Sequence, residues 1–129
     1  MIIAMNESGY IIVAVKTAGG ALPVENAVVT VRDANGNILY VEFTDRSGRT
    51  PILRVAAPPK ANSEAPGAPE PPFYIYNIDT DKEGYTSVRN VGVPIYPGIT
   101  SIQPVELLPL PEGTRNENVT FTEGDPPNL

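Results

Sequence analysis

The chain has 129 residues, a length that fits one domain able to bury roughly two thirds of the surface its unfolded form exposes. It contains no Cys and no His, which excludes disulfides, thiolate nucleophiles and Cys-ligated zinc, and removes the commonest general base and transition-metal ligand. Nine basic residues against fifteen acidic ones leave a net charge of -6, a balance that disfavours nonspecific attraction to nucleic acid or to an anionic membrane surface.

The opening Met1 to Met5, MIIAM, is too short for the apolar region of a signal peptide, and no run approaches bilayer-spanning length, so a soluble chain without a sorting signal is expected. Eleven glycines and fifteen prolines fall between short β-branched runs with period-2 alternation, the punctuation of an all-β protein. The first predicted strand is Tyr10 to Lys16, entered through Gly9. The second is Ala27 to Arg32, with Ala27, Val29 and Val31 on one face and Val28, Thr30 and Arg32 on the other. Asn35-Gly36 then supplies two φ > 0 residues for a tight hairpin turn, and Leu39, Val41 and Phe43 form the apolar face of the returning strand.

After the turn Asp45-Arg46-Ser47-Gly48, Thr50 to Val55 reads as a strand with Leu53 and Val55 inward. Three more strands follow: Phe73 to Asp79, a short one at Ser87 to Val91, and Ile102 to Leu108. Pro104 in the last of these marks an edge or a bulge. Seven strands without crossover helices predict a seven-stranded antiparallel Greek-key β-sandwich over residues 1–110. Residues 56–72 form a proline-rich, polyproline-like loop, and residues 111–129 an acidic tail in which Asn118 to Thr122, NVTFT, alternates like a further strand.

The order of these pieces resembles the carboxypeptidase regulatory-like domain, a seven-stranded sandwich of the transthyretin (prealbumin) type. The matching pieces are Gly9-Tyr10, Leu22-Pro23 before Asn26-Ala27-Val29-Val31, the Thr44-Asp45-x-x-Gly48 turn, and the aromatic strand ending at Gly84-Tyr85. Within that superfamily, the stretches TPILRVAAPP, YIYNI and VPIYPGITSIQPVELLPLP are similar to the noncatalytic segment before the protease domain of clostridial spore cortex-lytic proteins. The resemblance implies a noncatalytic module at a bacterial envelope or spore.

Side-chain chemistry points the same way. Asp79, Asp81, Glu83 and Gly84 occupy the first, third, fifth and sixth positions of a calcium-loop pattern, but the twelfth residue is Asn90 rather than a bidentate Glu, so these acids are expected to be solvated. Ser8, Ser47, Ser63, Ser87 and Ser101 lack a His to activate them, and nothing brings Lys16, Lys60 or Lys82 beside one. A paired-carboxylate glycosidase would need a cleft that the sandwich does not predict. The superfamily's hydrolases and ring-cleaving dioxygenases depend on histidines that this chain does not have. The sequon Asn118-Val119-Thr120 is explained by chance under the bacterial origin that the resemblance implies. No catalytic, cofactor or metal residues are therefore assigned.

The expected role is contact with a protein partner through strand edges, loops and turn tips, including a homodimer formed at an edge with NVTFT as the added strand. One alternative is peptidoglycan binding through Tyr74, Tyr76, Tyr85 and Tyr96, although most of these rings are expected in the core or its rim. Another is a pro-segment-like inhibitor or chaperone of a separately encoded protease.

Overall fold

The computed structural model describes residues 6–59, 72–111 and 118–122. Most of the proline-rich loop and of the acidic tail, with Lys60 and Ser63, lies outside the described residues. Nine strands are present among those described: β1 (Glu7–Thr17), β2 (Leu22–Pro23), β3 (Val28–Asp33), β4 (Ile38–Phe43), β5 (Leu53–Ala57), β6 (Tyr74–Asp81), β7 (Ser87–Ile95), β8 (Thr100–Glu106) and β9 (Asn118–Thr122). They form a two-sheet sandwich. In the smaller sheet β1 carries β8 along one side, with β5 and β2 following one another along the other; the larger sheet runs β4-β3-β6-β7-β9.

The all-antiparallel expectation needs correction. β8 runs parallel to β1 from Tyr10↔Thr100 to Lys16↔Glu106, and β9 runs parallel to β7 from Ser87↔Asn118 to Val91↔Thr122. NVTFT thus extends the larger sheet of its own chain. β1 and β7 reach beyond their predicted ends, and the short strand β2 joins the smaller sheet. The proline-rich stretch also begins later than predicted, because Ala56 and Ala57 belong to β5.

The inward sets follow period-2 alternation. Ile11, Val13 and Val15 of β1, Val29 and Val31 of β3, Leu53 and Val55 of β5, and Tyr76 and Ile78 of β6 meet in one core with Val88, Val93, Ile95, Val105 and Leu107. Buried threonines pin the connections: Thr50 Oγ1 accepts from the Val13 N–H (3.0 Å), and Thr44 Oγ1 accepts from the Ala27 N–H (2.9 Å) while donating to the Val24 carbonyl (2.6 Å). Pro104 lies in the edge strand β8, and Pro94 lies in β7 beyond its described pairing with β9, positions at which a strand tolerates proline.

β4 is the strand that sequence reasoning turned the wrong way. Leu39, Val41 and Phe43 are exposed, and Tyr40 and Glu42 are half-buried. The register explains it: Val31 pairs with Tyr40 and Val29 with Glu42, and paired residues point to the same face, so the core-facing valines of β3 carry Tyr40 and Glu42 inward. A one-residue shift at Leu39 then lets Arg32 face Ile38.

The turn before β4 sets that register. Asp33 Oδ1 accepts from the N–H groups of Asn35 and Asn37 (both 2.9 Å), the Gly36 N–H reaches the Asp33 carbonyl, and only Gly36 takes a positive φ (87°). This is a type I turn closed by a left-handed glycine, in place of the two positive-φ residues expected at Asn35-Gly36. The turn after β4 repeats the chemistry: Asp45 Oδ1 accepts from Ser47 (2.8 Å) and Arg49 (3.0 Å), with Gly48 at φ 77°. Gly48 is obligatory on a second count, since a Cβ there would stand 2.3 Å from the Val15 carbonyl oxygen.

Candidate interaction surface

The outward face of the larger sheet brings together residues far apart in the chain. Across its centre Val41, Thr30, Asp79 and Arg89 stand in one row, from β4 through β3 and β6 to β7. Asp79 accepts from Arg32 and from Arg89 Nε (2.6 Å), so one carboxylate of 16% side-chain exposure holds two guanidinium groups. The Asp79 contact keeps the Arg89 guanidinium even more firmly protonated than usual. Around them Thr30, Asp81, Ser87 and Thr120 line an open polar depression of about 350 Å³.

This arrangement corrects the reading of the DTDKEG stretch. Asp79 and Asp81 are residues of strand β6, on its outward face, and Asp79 is ion-paired rather than simply solvated. Gly84 makes the turn (φ 85°), with the Tyr85 N–H on the Lys82 carbonyl (3.0 Å). Among the described residues no three acidic side chains converge as metal ligands. Arg32 and Arg89 were missed by sequence reasoning. Only the pairing of β3 and β7 onto β6 brings them to Asp79, though the alternation of β3 already placed Arg32 outward.

The tyrosines divide by task. The Tyr76 hydroxyl donates to the Ala56 carbonyl and the Tyr40 hydroxyl to the Arg54 carbonyl (2.6 Å), both on β5. Burial, with the nearby Tyr74 and Asp33, pushes the Tyr76 phenol upward, so it stays a donor. Tyr74 donates to Asn6 Oδ1 (2.8 Å), and Tyr74 and Tyr85 pack against the core. Tyr96 differs: it is exposed, with its ring 5.5 Å from that of Phe73 and tilted to it. The four tyrosines therefore do not make one stacking row. Ser8 accepts from Arg54 Nε (2.7 Å), Ser47 sits in the Asp45 turn, Ser87 lines the polar depression and Ser101 pairs with Ile11 across β1 and β8.

Two apolar features flank this face. Along β4, Ile38, Leu39, Val41 and Phe43 are 58%, 42%, 53% and 58% exposed, a dense apolar run for a surface strand. Beside β8, a groove of about 700 Å³ is walled by Ile102, Pro104, Val105, Leu108, Val88 and Phe121, with Lys16 and Glu106 at its polar side.

Neither a family model nor a curated protein sequence matches the chain. Solved structures do. A two-sheet β-sandwich is what they share with it. The minor pilin GBS52 of Streptococcus agalactiae superposes with a TM-score of 0.58 at 13% identity, over 85% of this chain and 48% of the pilin. The Bacillus anthracis TIE protein gives 0.55 at 13% identity, over 81% of this chain and 17% of that one. The 3-chlorocatechol 1,2-dioxygenase of Rhodococcus opacus 1CP gives 0.54 at 16% identity, over 83% and 61%. The chain thus spans less than two thirds of each of these proteins' lengths, and likeness at such identity speaks for the fold alone.

Proposed function

We propose that the chain is a noncatalytic contact module of a bacterial envelope or spore protein, of the transthyretin-like, carboxypeptidase regulatory-like kind, acting through protein–protein contact at its open sheet edges. The observation that carries this reading is β4: among the described residues it is the terminal strand of its sheet, and it exposes four large apolar side chains in six residues. The polar residues that could have suggested chemistry are occupied within the fold, Asp79 by two arginines and the Tyr40 and Tyr76 hydroxyls by β5 carbonyls. Similarity to a minor pilin and to the Bacillus anthracis TIE protein is compatible with a scaffold role. The dioxygenase likeness adds no chemistry, because this chain has no His to serve as an iron ligand.

Affinity capture from envelope and spore fractions tests the reading. The folded chain is expected to retain a protein that variants carrying Lys at exposed edge positions, Phe43→Lys and Ile102→Lys, release. A second reading has one observation behind it, the exposed Tyr96 ring beside Phe73, which could stack on a sugar. Cosedimentation with purified peptidoglycan that is lost in Tyr96→Ala, together with no captured protein, would replace the contact reading by the glycan one.

A further inference from the structure

We infer that the β4 edge pairs with the β4 edge of a second copy of this chain, antiparallel about a two-fold axis, to make one continuous sheet across a homodimer. The inference deepens the contact-module reading and rests on it. Backbone direction comes first. Thr44 directs its N–H to the Ala27 carbonyl and its carbonyl to the Asn26 N–H, so its hydrogen-bonding groups face the β3 side. Alternation then turns those of Glu42 and Tyr40 toward β3 and those of Val41 and Phe43 toward the open edge. A two-fold antiparallel pair can therefore form with Val41 opposite Val41, both presenting N–H and C=O.

In that register Leu39 faces Phe43 in both directions, and Tyr40 faces Glu42. The outward side chains on both strands are all apolar, while the single charged residue of β4, Glu42, meets a tyrosine instead of its own copy. Sliding the register two residues one way sets Glu42 against Glu42; sliding it the other way takes Phe43 out of the pairing. One alignment is preferred over its neighbours, which is what an isologous interface requires. Charge favours it too. Antiparallel pairing brings the Asp33 turn of each copy beside the Asp45 turn of the other, and the latter carries the exposed Arg46 and Arg49. The two Asp-x-x-Gly turns hold both ends of β4, so the edge is already in strand conformation before it meets a partner.

β4 contains no Pro and no Lys, two of the devices that protect an edge strand, and keeps two others, the one-residue shift at Leu39 and the inward-turned Glu42. The proposed register accommodates both by centring the pair on Val41 and setting Glu42 against Tyr40. Its outward apolar residues continue onto β3, where Val28 pairs with Phe43.

Sedimentation equilibrium of the whole chain over a concentration series, at an ionic strength that screens the net charge, tests this. The mean mass is expected to rise from the 13.8 kDa monomer toward twice that value. Val41→Lys places two cations at the two-fold axis, and Val41→Pro removes an N–H that the chain's own sheet does not use; both are expected to remain monomeric at concentrations where the parent is dimeric. Ile99→Lys, exposed on the β7–β8 connection, is expected to dimerise like the parent. Should the Val41 variants fail to fold, Phe43→Glu at an equally exposed position makes the same test. A parent chain that stays monomeric throughout, or folded β4 variants that dimerise as well as the parent, would overturn the inference. A monomeric parent that still captures an envelope protein would leave the contact-module reading standing.

Discussion

β4 and β5 are both edge strands on the same flank of the sandwich, yet they meet solvent in opposite ways. β5 alternates cleanly, with Leu53, Val55 and Ala57 buried, and its outward carbonyls at Arg54 and Ala56 receive the hydroxyls of Tyr40 and Tyr76 from the facing sheet. β4 sends Tyr40 inward to make one of those bonds and leaves Leu39, Val41 and Phe43 outside. One edge is closed by the molecule itself, and the other has no further strand paired to it among the described residues. Apolar character alone therefore does not mark the core. The paired register of the neighbouring strand decides which face a residue joins.

The contrast can be broken most forcefully at Leu53. Leu53→Ala empties a fully packed position and is expected to cost about 2–5 kcal/mol of stability, whereas Val41→Ala in dilute solution should change it by no more than about 0.5 kcal/mol; denaturant titration of both variants checks this. A comparable loss at Val41 would mean that β4 is not an open edge. The hydroxyl closure of β5 is smaller. Tyr76→Phe is expected to cost about 0.5–1.5 kcal/mol, read in the same titration, with Tyr40→Phe no larger because its bond is exposed.

Next in size is the charge cluster on the outward face. Arg89→Ala should cost less than about 1 kcal/mol, since that side chain is 56% exposed and solvent screens the pair, and the loss should shrink further when salt is added to the melt. The smallest effect belongs to the turn that sets the β4 register. The Asn37 side-chain and backbone hydrogen bonds hold the Asp33 carboxyl below its ordinary value of 3.8. A depressed carboxyl contributes stability that is full above the unfolded value and is lost as pH falls through the folded one. The melting-temperature gap between the parent and Asn37→Ala is therefore expected to narrow on acidification below the ordinary carboxylate range.

Much of this fold was legible because local pattern and tertiary use agree. The valines of β3 and the Leu53 and Val55 pair of β5 alternate without ambiguity, and the Asp45 turn declares its hydrogen bonds in its own residue types. β4 offered two apolar faces, Ile38 with Tyr40 or Leu39 with Val41 and Phe43. The choice rested on the five-residue turn and the one-residue shift at Leu39, which composition does not encode. The parallel pairings of β8 and β9 were hidden for a similar reason: each joins strands distant in sequence through connections with no helical signature. Asp79 looked like a loop ligand because its neighbours in sequence are acidic, while Arg32 lies 47 residues away and Arg89 ten.

The central claim is that the β4 edge is open in the single chain and is closed by another. Site-resolved amide hydrogen exchange at Val41 and Phe43, followed from dilute to concentrated solution, measures this directly. Both amides are expected to exchange fast when dilute and to gain protection as concentration rises, with the β3-facing amides of Tyr40 and Glu42 slow throughout. Protection of Val41 and Phe43 already at high dilution, or fast exchange at every concentration, would contradict it.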